Sequence, residues 1–321
     1  MATNGETAQR PVVIGSDDDF WRYSPETGFD LTRPSHHDSP PVQPSVSIET
    51  ASDPITVDPA KSALIVIDMQ NFFLSPALGK TKGPGHDAVE QLRMNAVPAC
   101  RKAGIRVIWV NWGLTEKEII EMPPAIKKAF GRGALEHRNP HLFHKKTGVF
   151  GSNSTSDQDA DNSGGGYTGL GSDMGIVKDP ETGESIDAGK FLMRNQWNSA
   201  LYPPLDKMYE EGTKLSSRPD VWVHKNRMSG MWGAQTELEK YLENEGIKTL
   251  FFTGVNTDQC VGGTYQDSFS KGYDCVLLND GCGTTSPQFA QQCIEWNSAN
   301  VWGFAATCEQ LAKGVAKMKT S

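Results

Sequence analysis

The sequence predicts an α/β protein of three layers, with a mostly parallel central sheet covered by helices on both faces, an extended N-terminal tail and one long loop insertion. Two patterns carry that expectation. Short apolar runs rich in β-branched and aromatic residues recur along the chain: SALIVID (62–68), IRVIWVN (105–111), VWVHK (221–225), KTLFFTG (248–254) and YDCVLLND (273–280). They do not alternate polar with apolar, as strands buried on both faces do not. Between them lie DAVEQLRMNAVPACRKAG, GAQTELEKYLENEG and TDQCVGGTYQDSFSKG, helical in character and each closed by glycine, the usual residue just past a helix C-terminus. Strand, helix and strand repeating in this way wind a sheet right-handedly.

Taken in order, residues 1–54 read as an irregular tail: RPSHHDSPPVQPSVS has neither the period of a strand nor that of a helix. A single domain follows over 55–321, because no linker interrupts the rhythm. It carries an insertion around 151–190 that opens with GSNSTSDQDADNSGGGYTGLGSDMG (151–175), too polar and glycine-rich to bury itself and therefore expected as a long surface loop. EHRNPHLFH places His137, His141 and His144 close together, but Pro140 breaks any helix that would align the first two, and no acidic or thiol partner accompanies them. No metal site is expected there.

Composition narrows the function. Lys and Arg number 31 against 39 Asp and Glu, a formal charge of −8, the wrong sign for a surface that tracks nucleic-acid phosphates or an anionic membrane. No run approaches a spanning helix and the N-terminus has no signal-peptide pattern, so a cytoplasmic location is the expectation. Six cysteines without a C-x-x-C pair read as free thiols rather than a disulfide scaffold.

In an open parallel sheet, ligands bind beyond the carboxyl ends of the strands. Three reactive side chains fall there: Asp68 after the first run, Lys225 at the end of VWVHK, and Cys260 in the turn GVNTDQCVGG that follows KTLFF. A thiolate attacks a carbonyl; a neighbouring cation and a helix start favour the thiolate, so Lys225 and the helix begun at Thr257 suit Cys260 as nucleophile. Asp68 can take the thiol proton, return it to a departing amine and then activate water. The backbone N–H groups around Asn256 and Cys260 are candidates for an oxyanion hole. Phe73, Trp112 and Trp232, near the same strand ends, are candidate walls of a pocket.

Together LIVIDMQNFF, the lysine of VHKNRMSGMW, and FFTGVNTDQCVGGTYQDSFSKGYDCVLLNDGCGTTSP resemble the isochorismatase-like cysteine hydrolases, which include nicotinamidases and carbamoylsarcosine amidases; the resemblance spans roughly residues 55–310. It implies an isochorismatase-like, Rossmann-like fold, a triad of Asp68, Lys225 and Cys260, a cis peptide between Val255 and Asn256, and a homo-oligomer, dimer or tetramer, acting on a small molecule. The chain departs from the metal-dependent nicotinamidases, whose Asp-x-His motif after the second strand is replaced by VNWGLTEKE. No metal or other cofactor is therefore expected. Some relatives that cleave isochorismate lack the cysteine and use the aspartate to protonate an enol ether. Retention of Cys260 favours hydrolysis of an amide C–N bond through a thioester; enol-ether cleavage by Asp68, or a catalytically idle binding or redox-sensing protein, are the alternatives.

Overall fold

A computed structural model describes residues 11–138 and 169–318. The N-terminal strands are β1 (Val12–Gly15), β2 (Phe20–Ser24), β3 (Gly28–Asp30), β4 (Val46–Ile48) and β5 (Ile55–Val57). Then come β6 (Ser62–Ile67), β7 (Arg106–Trp112), β8 (Ile176–Lys178), β9 (Ser185–Asp187), β10 (Val221–Lys225), β11 (Thr249–Val255), β12 (Asp274–Gly283) and β13 (Phe304–Ala306).

The main sheet has six strands in the order β10-β7-β6-β11-β12-β13, every neighbouring pair parallel. The apolar runs read from the sequence become its first five strands. β6 lies at the centre with all its residues buried, and Ile65 sits in register between Ile108 and Phe252. Alternate side chains serve two cores. Leu64 and Val66 join Trp109 and Phe251 on one face, while Ala63, Ile65 and Ile67 join Val110 and Phe252 on the other. Each face therefore needs its own cover of helices, which makes the three layers. Strand β13 escaped the sequence reading because three residues, FAA, carry no measurable period.

Helices Pro84–Gln91 and Val97–Ala103 are joined by a wide turn over Leu92–Ala96. Pro98 has no N–H and would crowd the carbonyl four residues earlier, so the ladder loosens there without breaking. Gly104 ends the run at φ 78°.

The N-terminal segment differs from the irregular tail expected of it. Strands β1 to β5 form a sheet of order β1-β2-β3-β5-β4, with Phe20, Leu31, Val46, Ile48, Ile55 and Val57 buried. Its strands span only 3 to 5 residues, too short to show a period through the Pro- and Ser-rich connections. Its stability comes from the main body instead. Trp21 and Phe29 pack against Phe304; the Arg33 guanidinium holds both carboxylate oxygens of Asp274, at 2.6 and 2.7 Å; and the Trp21 indole and Thr249 hydroxyl donate to the same carboxylate, each at 2.8 Å.

Of the insertion, residues 169–190 are described: β8 and β9 pair as a short antiparallel ribbon, and Leu170 is buried with Trp112 and Leu114. The rest of the loop, with His141, His144 and residues 151–168, lies outside the described residues. No helix among the described residues is long and apolar enough to cross a membrane.

Asp274 is 1% exposed, so removing its cation strands a buried carboxylate. Arg33→Met should cost about 3 kcal/mol in urea unfolding and should make the 34–42 connection newly sensitive to protease.

Candidate active site

β6 stops at Ile67 and the chain leaves the sheet at Asp68, whose φ of 54° is a left-handed conformation that Asp adopts more readily than most residues. Its N–H still donates to the Val110 carbonyl at 3.1 Å, so the side chain starts from a fixed point. β10 ends in Lys225, in register with Trp112 at the end of β7. The three chain ends meet. Asp68 Oδ2 lies 2.9 Å from Lys225 Nζ, and Asp68 Oδ1 accepts the Trp112 backbone N–H at 3.2 Å. Lys225 Nζ also donates to the carbonyls of Arg227 and Met228, at 3.1 and 3.2 Å, and lies 4.1 Å from the centre of the Trp112 ring. Two carbonyl hydrogen bonds and the Asp68 ion pair hold the Lys225 ammonium in one place.

β11 brings the thiol. Gly254, at φ 115°, approaches β6 so closely that a Cβ would fall 2.0 Å from the Ile67 carbonyl oxygen; no other residue fits. The next peptide, Val255–Asn256, is cis. The Asn256 carbonyl then accepts the N–H groups of Gln259 and Val261, at 3.0 and 3.2 Å, opening a wide turn over Thr257–Val261 that runs into the helix Gly262–Ser270. Cys260 sits in that turn, 1% exposed, its thiol within hydrogen-bond reach of the Asp68 carboxylate. Thr264 locks the loop after Lys225 onto the cysteine's helix: its hydroxyl donates to the Cys260 carbonyl at 2.6 Å and accepts the Gly230 N–H at 3.0 Å.

The electrostatics differ from the sequence expectation that Lys225 and a helix start hold the thiolate. Burial raises the Cys260 thiol to about 12; the Lys225 ammonium pulls it down, and the Asp68 carboxylate pushes it back up. The resting sulfur is therefore a thiol. Burial likewise raises the Asp68 carboxyl, against the charge and hydrogen bond of Lys225. A carboxylate with raised basicity beside a protonated thiol is placed to exchange one proton with it.

The other expected residues divide. Phe73 and Asn256 line a cavity of about 270 Å³ with Lys80, Thr284 and Thr285, and burial lowers the Lys80 ammonium to about 8. Trp112 is not in that wall: it is buried against the charged pair. Trp232 is 51% exposed, with the Arg227 guanidinium 4.7 Å over its ring and its indole N–H on Asn226 at 3.2 Å. Gln70 was missed. It is fully buried; its Oε1 accepts the Trp112 N–H at 3.1 Å, and its Nε2 donates to the carbonyls of Trp112 and Ser199, at 2.8 and 2.7 Å. An amide two residues past a strand-end aspartate was the available signal. Among the described residues no three His, Cys, Asp or Glu side chains are grouped to hold a metal.

Residues 189–303 match the family model described as the isochorismatase domain, a span that contains Lys225 and Cys260. Over that segment the chain is similar to the isochorismatase family. Its fold is similar to that of a cysteine hydrolase from Pseudomonas syringae pv. phaseolicola 1448A, at TM-score 0.51 and 16% identity over 82% of this chain and 95% of that one. It is also similar to an isochorismatase family protein from Desulfovibrio vulgaris subsp. vulgaris str. Hildenborough, at TM-score 0.50 and 18% identity over 80% and 99%. At such identities the likeness is one of fold. The charges beside Cys260 oppose each other, which separates their effects. Asp68→Asn leaves Lys225 unopposed and should lower the thiol pKa, speeding iodoacetamide labelling of Cys260 at pH 8, whereas Lys225→Met should raise it and slow labelling. Mass spectrometry of the Cys260 peptide reads both.

Proposed function

We propose that this hydrolase cleaves a C–N amide bond of a small molecule through a thioester on Cys260, with Asp68, Lys225 and Cys260 as its triad and without a metal. The observation that carries this reading is the buried Asp68–Lys225 ion pair at 2.9 Å with the Cys260 thiol beside the carboxylate. Asp68 takes the thiol proton as sulfur attacks the carbonyl carbon. The new C–S bond leaves an oxyanion, for which the backbone N–H groups at Asn256 and Cys260 are the nearest candidates on the turn. Collapse breaks the C–N bond, and Asp68 passes its proton to the amine, leaving a neutral leaving group and a thioester. Water then gives a proton to Asp68 and attacks the thioester; the acid departs and the thiolate recovers the proton. Lys225 keeps its own protons throughout and offsets the negative charge as it moves between carboxylate and sulfur.

A cavity of about 270 Å³ lined by Phe73, Lys80 and Asn256 touches the turn before Cys260 through Val255 and Asn256, with none of the three triad residues in its wall, and its volume suits only a small molecule.

A second reading has one observation in its favour. A carboxyl raised by burial also suits an acid that protonates an enol ether, with Cys260 a bystander. The two separate cleanly in an experiment with an amide panel and isochorismate. Amide hydrolysis predicts an acyl adduct on Cys260 by intact mass, and a fall in kcat of about a thousandfold or more in both Cys260→Ala and Asp68→Asn. Enol-ether cleavage predicts no adduct, full activity in Cys260→Ala and loss only in Asp68→Asn.

A further inference from the structure

Trp112 touches every member of the charged cluster with a different part of itself. Its backbone N–H donates to Asp68 at 3.2 Å, its ring face lies 4.1 Å from the Lys225 ammonium, and its side chain acts on the Cys260 thiol, lowering its pKa. The indole nitrogen is the informative atom. It is buried and has no hydrogen-bond partner among the described residues. Three other indoles have acceptors: Trp21 donates to Asp274 at 2.8 Å, Trp109 to Asp220 at 2.9 Å and Trp222 to His224 at 3.1 Å. A buried donor normally finds an acceptor. The group that Trp112 faces, a neutral thiol, is a weak acceptor at rest and becomes a strong one when it loses its proton.

We propose that Trp112 is a catalytic residue of this site, whose indole N–H donates to the Cys260 sulfur as the thiolate forms, while the face of the same ring holds the Lys225 ammonium. The proposal rests on Cys260 acting as the nucleophile. One ring can serve both ions because an aromatic quadrupole is negative on its faces and positive at its edge. The face meets the cation and the edge meets the sulfur. Because the hydrogen bond strengthens only as charge develops, it lowers the barrier rather than the ground state. The ring is held for this role: Gln70 binds the Trp112 backbone on both its N–H and its carbonyl, at 3.1 and 2.8 Å, and Phe130 meets the ring edge-on at 4.9 Å between centroids.

The test is Trp112→Phe, which keeps a ring face for Lys225 and removes the donor. Iodoacetamide labelling of the Cys260 peptide in the full chain should slow about tenfold at pH 8, with the labelling curve displaced to higher pH and kcat reduced while KM stays within about twofold. A Trp112→Phe curve that superimposes on wild type overturns the proposal. If that variant does not fold, wild-type protein with 15N-labelled tryptophan gives the answer. One indole N–H resonance should move when Cys260→Ser takes the sulfur away; indole resonances that all stay in place overturn the proposal. Neither labelling nor resonance needs a substrate. A displaced curve without any acyl adduct would therefore retain Trp112 as the thiolate's donor and reject amide hydrolysis, whereas an adduct with superimposed curves would do the reverse.

Discussion

Two opposite charges buried 2.9 Å apart at the carboxyl edge of the sheet, on Asp68 and Lys225, set the terms for the rest of this site. Taking each ion out of water costs several kcal/mol, and the fold meets that cost with geometry. Asp68 receives a backbone N–H from Trp112. Lys225 gives its remaining protons to two carbonyls of its own loop and rests on an aromatic face. Each of these partners comes from the end of a different strand or the loop after it, so the pair exists only when β6, β7 and β10 are aligned.

The same burial decides what the sulfur is at rest. A thiol enclosed among Trp112, Asp68 and Lys225 loses its hydration, and the loss outweighs the help of one cation that is already neutralised by its carboxylate. In the proposed reaction, reactivity then depends on moving a proton over a short distance inside the cluster. That differs from a cysteine held permanently as thiolate by an unopposed cation or helix end, and it makes the donor and acceptor directions around sulfur matter more than the net charge nearby.

Around this centre the chain separates into parts with different tasks. The parallel sheet fixes the strand ends. Gly254 lets β11 crowd β6 where a side chain would collide with the Ile67 carbonyl, and Thr264 ties the lysine loop to the cysteine's helix. The N-terminal sheet is fastened to the start of β12 through Asp274, at the end of the strand opposite the rim where Asp68 and Lys225 meet. Its bond to the body is electrostatic, aromatic and aliphatic, since Val46, Ile48, Ile55 and Val57 share one core with Leu311 and Val315.

Much of this was legible in the residues themselves. Runs such as SALIVID and KTLFFTG announced buried parallel strands because both faces of each strand must be apolar, and a polar residue just after such a run can only stand at the rim; Asp68, Lys225 and Cys260 were found in that way. Residues whose meaning depends on a partner far along the chain were not legible. Arg33 and Asp274, Gln70 and Ser199, or the sheet built from residues 12–57 carry no local period, since their order comes from partners in other elements of the fold. The same holds for Trp112, which reads locally as one more aromatic in a strand. Sequence alone determined which strands form and which reactive groups end them, because side-chain periodicity is a local property. Only the tertiary structure decided that burial keeps the sulfur a thiol and that the Trp112 ring faces the Lys225 ammonium, because desolvation and the direction of a contact belong to the packed neighbourhood.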